Sequence, residues 1–185
     1  MQHLREKGKP VHVLDIASGH GRYVLDALAA EALPESVRLR DYSPINVAAG
    51  QALIAERGLQ KVATFDEVNA YERANYQNLN PRPTLGIVSG LHELFPDNDL
   101  ILQSLYGFGD AIEPGGYLIY TGQPWHPQLE MIARCLSSHR EGQDWVMRRR
   151  SQQEMDQLVE KAGFEKVHQW IDDDGIFTVS LAVKK

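Results

Sequence analysis

The sequence holds a single cysteine, Cys135, among 185 residues. A lone thiol excludes a disulfide framework and any cysteine-built metal centre. No apolar run approaches the ~20 residues that a membrane-spanning helix needs. The opening Met1-Gln-His-Leu-Arg-Glu-Lys lacks the apolar stretch of a signal peptide. Basic residues are also scarce, with 19 Lys and Arg against 25 Asp and Glu, a net charge of −6. Nucleic-acid binding calls for clustered cations, and the short run Arg148-Arg149-Arg150 is too small to supply them, so no nucleic-acid partner is expected. No His, Asp and Glu fall at metal-ligand spacing, so no metal is expected either. Internal repeats and low-complexity tracts are absent. These absences leave a soluble cytoplasmic chain without a membrane span, and its 43% apolar content suffices for one full core.

What is present is alternation. Strand-like segments at 11–16, 36–41, 62–66, 84–89 and 116–121 are separated by helical patterns at 20–31, 45–57 and 98–112, with an ambiguous stretch at 69–77. Such alternation predicts βαβ units around a parallel sheet. Ser43-Pro44 starts the second helix with a capping hydroxyl and a proline in the first turn, and Gly58 closes it. Near the end the rhythm changes. Ser151 to Ala162 is amphipathic, with Met155, Leu158, Val159 and Ala162 on one face and Gly163 as its stop. Two strand-like runs, Phe164–Ile171 and Ile176–Val183, then flank Asp172-Asp-Asp-Gly175, a hairpin signal.

The most informative segment is Val11-His-Val-Leu-Asp-Ile-Ala-Ser-Gly-His-Gly-Arg-Tyr-Val24. An apolar strand runs into Asp15, then a turn of small residues (Ala17, Ser18, Gly19, Gly21), then a helix. Such a turn lets bare backbone approach a ligand at the carboxyl end of a parallel strand. The dinucleotide pattern G-x-G-x-x-G fails in both registers, because Val24 or Arg22 falls where the third small residue belongs. The pattern acidic-x-G-x-G-x-G fits as Asp15-Ile-Ala17-Ser-Gly19-His-Gly21, with one glycine replaced by Ala17. In this it resembles the first motif of class I S-adenosylmethionine-dependent methyltransferases.

The resemblance extends over nearly the whole chain. It implies a doubly wound, mostly parallel seven-stranded sheet ending in an antiparallel β-hairpin, a single domain over 1–185, and S-adenosylmethionine as cofactor. Asp41, twenty residues after Gly21, stands where the family binds the ribose hydroxyls, and Tyr42 where a side chain lies against adenine or, alternatively, packs on Pro44. Asn69-Ala70 matches the position that meets the adenine amino group, with Asp66-Glu67 as the other register. Leu85 to Leu91, which includes Ser89 on the cofactor side, resembles the fourth strand leading to the reaction face. Ile112-Glu-Pro-Gly-Gly-Tyr-Leu-Ile119 resembles the turn before the fifth strand, and Lys161-Ala-Gly-Phe164 the turn before the sixth. The finer likeness is to a small bacterial group, some of whose members are fused behind an α/β-hydrolase domain. S-adenosylmethionine has no phosphate but carries an ammonium and a sulfonium, for which Asp15 offers negative charge.

Methyl transfer requires alignment of the acceptor, exclusion of water and, for a weak nucleophile, removal of a proton. The acceptor is expected beyond the fourth and fifth strands and is a small molecule, lipid-related compounds among the candidates. His92 is the first candidate for general base, with Glu93 beside it to orient it; its alternative role is structural. Trp125 and His126 form a pocket lip or a self-packed surface loop. Arg148 to Arg150 recognise an acidic substrate group or are simply solvated. The alternative to an enzyme is a non-catalytic S-adenosylmethionine-binding module that serves a fused or partner domain.

Only ten residues precede Val11, and Met1 to Glu6 is too short for a helix stable on its own. The resulting expectation is a carboxyl-terminal part of a longer protein, capped by an upstream hydrolase domain or by a second copy as a homodimer. On that expectation the pocket is open, and the apolar side chains of 91–95 and 123–127 are exposed unless something packs on them.

Overall fold

The computed structural model describes residues 1–29, 32–137, 142, 144–145 and 147–185. Its elements are α1 (Gln2–Glu6), β1 (His12–Ile16), α2 (Arg22–Ala29), β2 (Ser36–Asp41), α3 (Pro44–Glu56), β3 (Ala63–Glu67), β4 (Leu85–Val88), α4 (Asn98–Ala111), β5 (Tyr117–Gly122), α5 (Leu129–Cys135), α6 (Gln152–Lys161), β6 (Phe164–Ile171) and β7 (Thr178–Lys184). The sheet has seven strands in the order β3-β2-β1-β4-β5-β7-β6. Strands β1 to β5 are parallel, and β7 runs antiparallel between β5 and β6. The strand order reverses between β1 and β4, which places the ligand crevice at the carboxyl ends of those strands.

Alternation along β1 divides the core. Leu14 and Ile16 join Val88, Leu105, Phe108, Leu118 and Phe164 on the face covered by α4 and α6. Val13 joins Leu25, Leu39, Val47, Phe65 and Tyr117 on the face covered by α1, α2 and α3. Asp15 lies two residues beyond Val13 and therefore points to the α2 side. It is an acidic group at a core position, which is the first mark of the site.

The element boundaries differ from expectation for local reasons. Helix α2 begins at Arg22 because Gly21, with φ +70°, still belongs to the turn, and residues 30 and 31 of the expected 20–31 helix lie outside the described residues. Strand β7 begins at Thr178 rather than Ile176, since the Asp172 carboxylate accepts the N–H groups of Ile176 and Phe177 at 2.7 and 2.9 Å and holds them in the turn. The ambiguous 69–77 stretch is a single 3-10 turn, Arg73–Tyr76, pinned where the Tyr76 hydroxyl donates to the Ala70 carbonyl at 2.7 Å. Met1 to Glu6 does form a short helix, docked by buried Leu4 and by the 3.0 Å contact of His3 with the Tyr117 hydroxyl. Helix α5 was not anticipated, because it buries no residue and so has no apolar stripe to read.

Candidate active site

The turn after β1 is built from its own backbone. Ala17, Gly19 and Gly21 all have positive φ (51°, 57° and 70°). A Cβ on Gly21 would lie 2.5 Å from Leu39 Cδ1, whereas one on Gly19 would meet nothing within 4 Å. Gly21 is thus fixed by packing against β2, while Gly19 leaves one side of the turn open. Asp41, at the end of β2, accepts the N–H of Gly19 at 2.8 Å, that of Ser43 at 2.9 Å, and Asn46 Nδ2 at 3.0 Å. Its carboxylate ties the turn to β2, and the chain already takes three of its roughly four acceptor positions.

Asp15 is 0% exposed. Its Oδ1 accepts the Tyr23 hydroxyl at 2.6 Å, while Oδ2 has no partner. Burial, reinforced weakly by the Asp41 charge, pushes its pKa up to about 7 against the help of the Tyr23 and Ser18 hydrogen bonds. A buried carboxylate with a free oxygen and no cation is suited to a cationic ligand.

The other residues expected around the turn differ in exposure and in local bonding. Tyr42 is 75% exposed. Asn69 is committed locally, its Oδ1 accepting the Tyr71 N–H at 3.0 Å and its Nδ2 donating to Glu72 at 3.2 Å. Ala70 is buried, and Asp66 and Glu67 are exposed residues of β3. Ser89 is half-buried just after β4.

At the ends of β4 and β5, Thr121 Oγ1 accepts the Gly90 N–H at 2.9 Å and donates to Glu93 Oε1 at 3.1 Å. Glu93 is 8% exposed and its Oε2 has no hydrogen-bond partner. Burial holds its pKa above the usual carboxylate range, although Thr121, Arg149 and Arg150 pull it back. The adjoining cleft, lined in part by Glu93, Thr121, Gln123, Arg150 and Met155, encloses about 10 Å³. That is room for roughly one water.

The structure turns His92 away from the role of base. It is 2% exposed, and its Nε2 meets Ser104 Oγ of α4 at 2.8 Å. Burial, with the Arg150 charge second, pushes its pKa down to about 3. His92 also lines the cleft and its Nδ1 has no hydrogen-bond partner, but its burial and low affinity for a proton weigh against the role of base. The solvated reading of the arginine run is corrected too. Buried Arg150 donates to the carbonyls of His92 and Phe95 at 2.7 and 2.8 Å and to Asn98 Oδ1 at 2.7 Å. Arg148 reaches Pro96 O, Asn98 and Glu154. This strap ties down the 91–95 loop, where Leu91 is buried in the core and Phe95 packs edge-on to Tyr71, so these side chains are packed rather than exposed. Trp125, 54% exposed, matches the expectation for the 123–127 loop, and His126 Nδ1 accepts the Gln128 N–H at 3.1 Å.

Residues 1–184 match the family described as "Putative methyltransferase". The chain belongs to that family. It falls within the class I S-adenosylmethionine-dependent methyltransferase superfamily, whose sheet it reproduces. It is 59% identical over 182 residues to the uncharacterized protein YnbC of Escherichia coli K12, covering 98% of this chain and 31% of that protein. The chain therefore spans about a third of the curated relative's length. Among solved structures it is similar to a "possible exported protein" of Bordetella parapertussis, with TM-score 0.76 and 20% identity over 99% of this chain and 65% of that one. It is also similar to the magnesium protoporphyrin IX methyltransferase of Synechocystis with bound S-adenosylhomocysteine, with TM-score 0.73 and 14% identity over 100% of this chain and 79% of that one. At such identities these likenesses speak for the fold alone.

In this methyltransferase family member, among the described residues, no group of three or more His, Cys, Asp or Glu could hold a metal, and no helix is long and apolar enough to cross a membrane. Sequence reasoning missed Tyr23 and Thr121, whereas Arg149 lies in the basic run already weighed for an acidic substrate group. Of the two missed, only Tyr23 left a readable signal, since it stands one turn into the helix that follows the small-residue turn.

Proposed function

We propose that this chain transfers a methyl group from S-adenosylmethionine to a hydroxyl or amine of a small acceptor. Bound, the cofactor supplies an electrophilic methyl on a sulfonium. The observation that carries the reading is Asp15, a fully buried carboxylate with an unpartnered oxygen beside a glycine turn open on one side. These residues fit the group: Asp15 would hold its positive charge, the Gly19 backbone would approach it closely, and Asp41 would offer its remaining acceptor position. Tyr42, Asn69, Ala70 and Ser89 would complete the surround. Glu93, raised in pKa and lining the cleft with Oε2 unpartnered, would take the acceptor's proton. Trp125 and His126 would form the lip over the acceptor.

The test is calorimetry with S-adenosylmethionine and, separately, NAD, followed by S-adenosylhomocysteine release against an acceptor library. Binding of the first, none of the second, and acceptor-dependent release are expected. NAD binding alone would overturn the reading. A second reading, a binding module without catalysis, draws on the narrowness of the cleft, and it predicts binding without release. The share of its Escherichia coli relative that this chain covers supports the further proposal that it is one domain of a longer protein.

A further inference from the structure

Two charged groups near the end of β5 stand unneutralised. Glu93 has a carboxylate oxygen with no hydrogen-bond partner and, among the described residues, no cation within ion-pair distance. Arg149 is a half-buried guanidinium whose Nε is buried and unpartnered, and it likewise has no carboxylate within that distance among the described residues. Its neighbours in the run are satisfied: Arg148 by Glu154, Arg150 by backbone carbonyls. Arg149 holds only Gln123, through the carbonyl at 3.4 Å and through Oε1, and approaches the Met147 sulfur at 3.7 Å. Glu93 is anchored at Thr121 and Arg149 at Gln123, two positions apart, about 7 Å of extended chain. Opposite charges placed side by side yet kept apart suit a ligand that carries a hydrogen-bond donor at one end and an anion at the other.

We infer that the acceptor is a small carboxylic acid bearing a hydroxyl or amine, its donor group on Glu93 Oε2 and its carboxylate on Arg149. The inference rests on the methyltransferase reading and names its substrate class. A neutral amide, Gln123, is a weaker partner for guanidinium than a carboxylate, which can accept two parallel N–H bonds. An incoming carboxylate therefore takes the place of Gln123 on Arg149. Gln123 and Pro124 line the cleft and Arg149 does not, so releasing Gln123 would both widen a space that otherwise holds little more than a water and open it toward Arg149. Arg149 and Gln123 act together as a latch that an anion opens.

The test titrates lactate, salicylate and anthranilate, each paired with its carboxamide, into the protein with and without S-adenosylmethionine. At least one acid should bind about tenfold or more tightly than its amide, the size of one charge-assisted hydrogen bond. Arg149→Gln should bring the pair within about twofold, again by that measure, with the same melting temperature and the same S-adenosylmethionine affinity. Arg149→Lys should keep part of the preference through its charge. Equal affinity for acids and amides, an acid preference that survives Arg149→Gln, or binding of no acid in the panel overturns the inference. Calorimetry with S-adenosylmethionine on the same samples separates the two levels. Cofactor bound without acid preference removes this inference alone, and no cofactor binding removes both.

Discussion

Two buried carboxylates face the crevice from either side of the strand reversal. Asp15 sits at the end of β1 with a phenol hydroxyl for company, and its nearest charged neighbour, Asp41, is of the same sign. Glu93 sits beyond β4 with a threonine hydroxyl on one oxygen and two guanidinium groups nearby. Each keeps one oxygen without a partner. The difference lies in what surrounds them. Among the described residues Asp15 has no cation within ion-pair distance and needs one from outside to be stable as an anion, which suits a permanent positive charge. Glu93 has its countercharge near but not in contact, so it can exchange a proton without leaving an isolated charge behind. On the proposed function, one half of the crevice would bind a cation and the other would move a proton.

Removing the proton acceptor should have the largest effect. Glu93→Gln keeps the shape and the Thr121 contact but abolishes basicity, and turnover should fall about 10²–10⁴-fold, the usual worth of a positioned base. S-adenosylmethionine affinity should stay nearly constant. Single-turnover kinetics and calorimetry on the same variant check both halves, and a turnover loss that simply tracks lost cofactor affinity would erase the contrast between the two carboxylates.

Asp15→Asn comes next. It should weaken S-adenosylmethionine by about tenfold to a hundredfold, as expected when a buried charge loses its partner. In the parent chain a proton competes with the cofactor below the Asp15 pKa of about 7, so affinity should decline as pH falls through that value and level off above it; in Asp15→Asn the curve should be flat. Stability should move oppositely. The folded carboxyl keeps its proton to a higher pH than the unfolded one, so its contribution is fully present below about 4 and is lost as pH rises to about 7. Melting temperatures of parent and variant across that window check the sign.

Arg150→Met probes the strap rather than either carboxylate. It leaves the carbonyls of His92 and Phe95 without their buried donor, which should cost about 2–3 kcal/mol in urea unfolding. The 91–95 loop should also lose protection from hydrogen exchange, while the turn at 17–21 keeps its own. Equal loss of protection in both would show that the two halves are not independent.

The two halves also differ in how legible they were. The cofactor turn is contiguous, and its properties follow from backbone conformation: small residues between a strand and a helix mark positive φ and close approach. Asp15, Gly19, Gly21 and Asp41 could therefore be named from spacing. The acceptor half gathers residues near 92, 121 and 149, far apart in the chain, and depends on side-chain direction, which spacing does not carry. His92 looked like a base because histidine usually titrates near neutrality, but Ser104 on α4 draws the ring inward and burial removes its basicity. Arg150 looked like a surface charge because basic runs usually are; the backbone carbonyls it satisfies are invisible in a sequence. The fold was readable because it is written in periodicity; beyond β4 the sequence offered Glu93 and the arginine run as candidates, but which of them stand together is written in contacts.

The smallest effect belongs to the one irregular position of the readable half. Ala17 occupies the first glycine place of the motif and adopts φ 51° there, a left-handed conformation that costs an L-residue with a Cβ roughly 1–2 kcal/mol. The neighbouring contacts hold it in place: the Ser18 N–H donates to the Arg40 carbonyl at 3.0 Å and the Gly21 N–H to the Ser18 carbonyl at 2.8 Å. Ala17→Gly removes the strain, partly offset by the greater freedom glycine gives the unfolded chain, about 0.4–1 kcal/mol. A net gain of up to about 1 kcal/mol in unfolding free energy is expected, with no change in the urea dependence. Ala17 is partly buried against the core cluster of the α4 and α6 face, so the lost methyl contact works against that gain, and S-adenosylmethionine affinity should stay equal. A loss of stability instead would mean that this packing outweighs the backbone strain, and that the turn is shaped by side-chain contacts just as the acceptor half is.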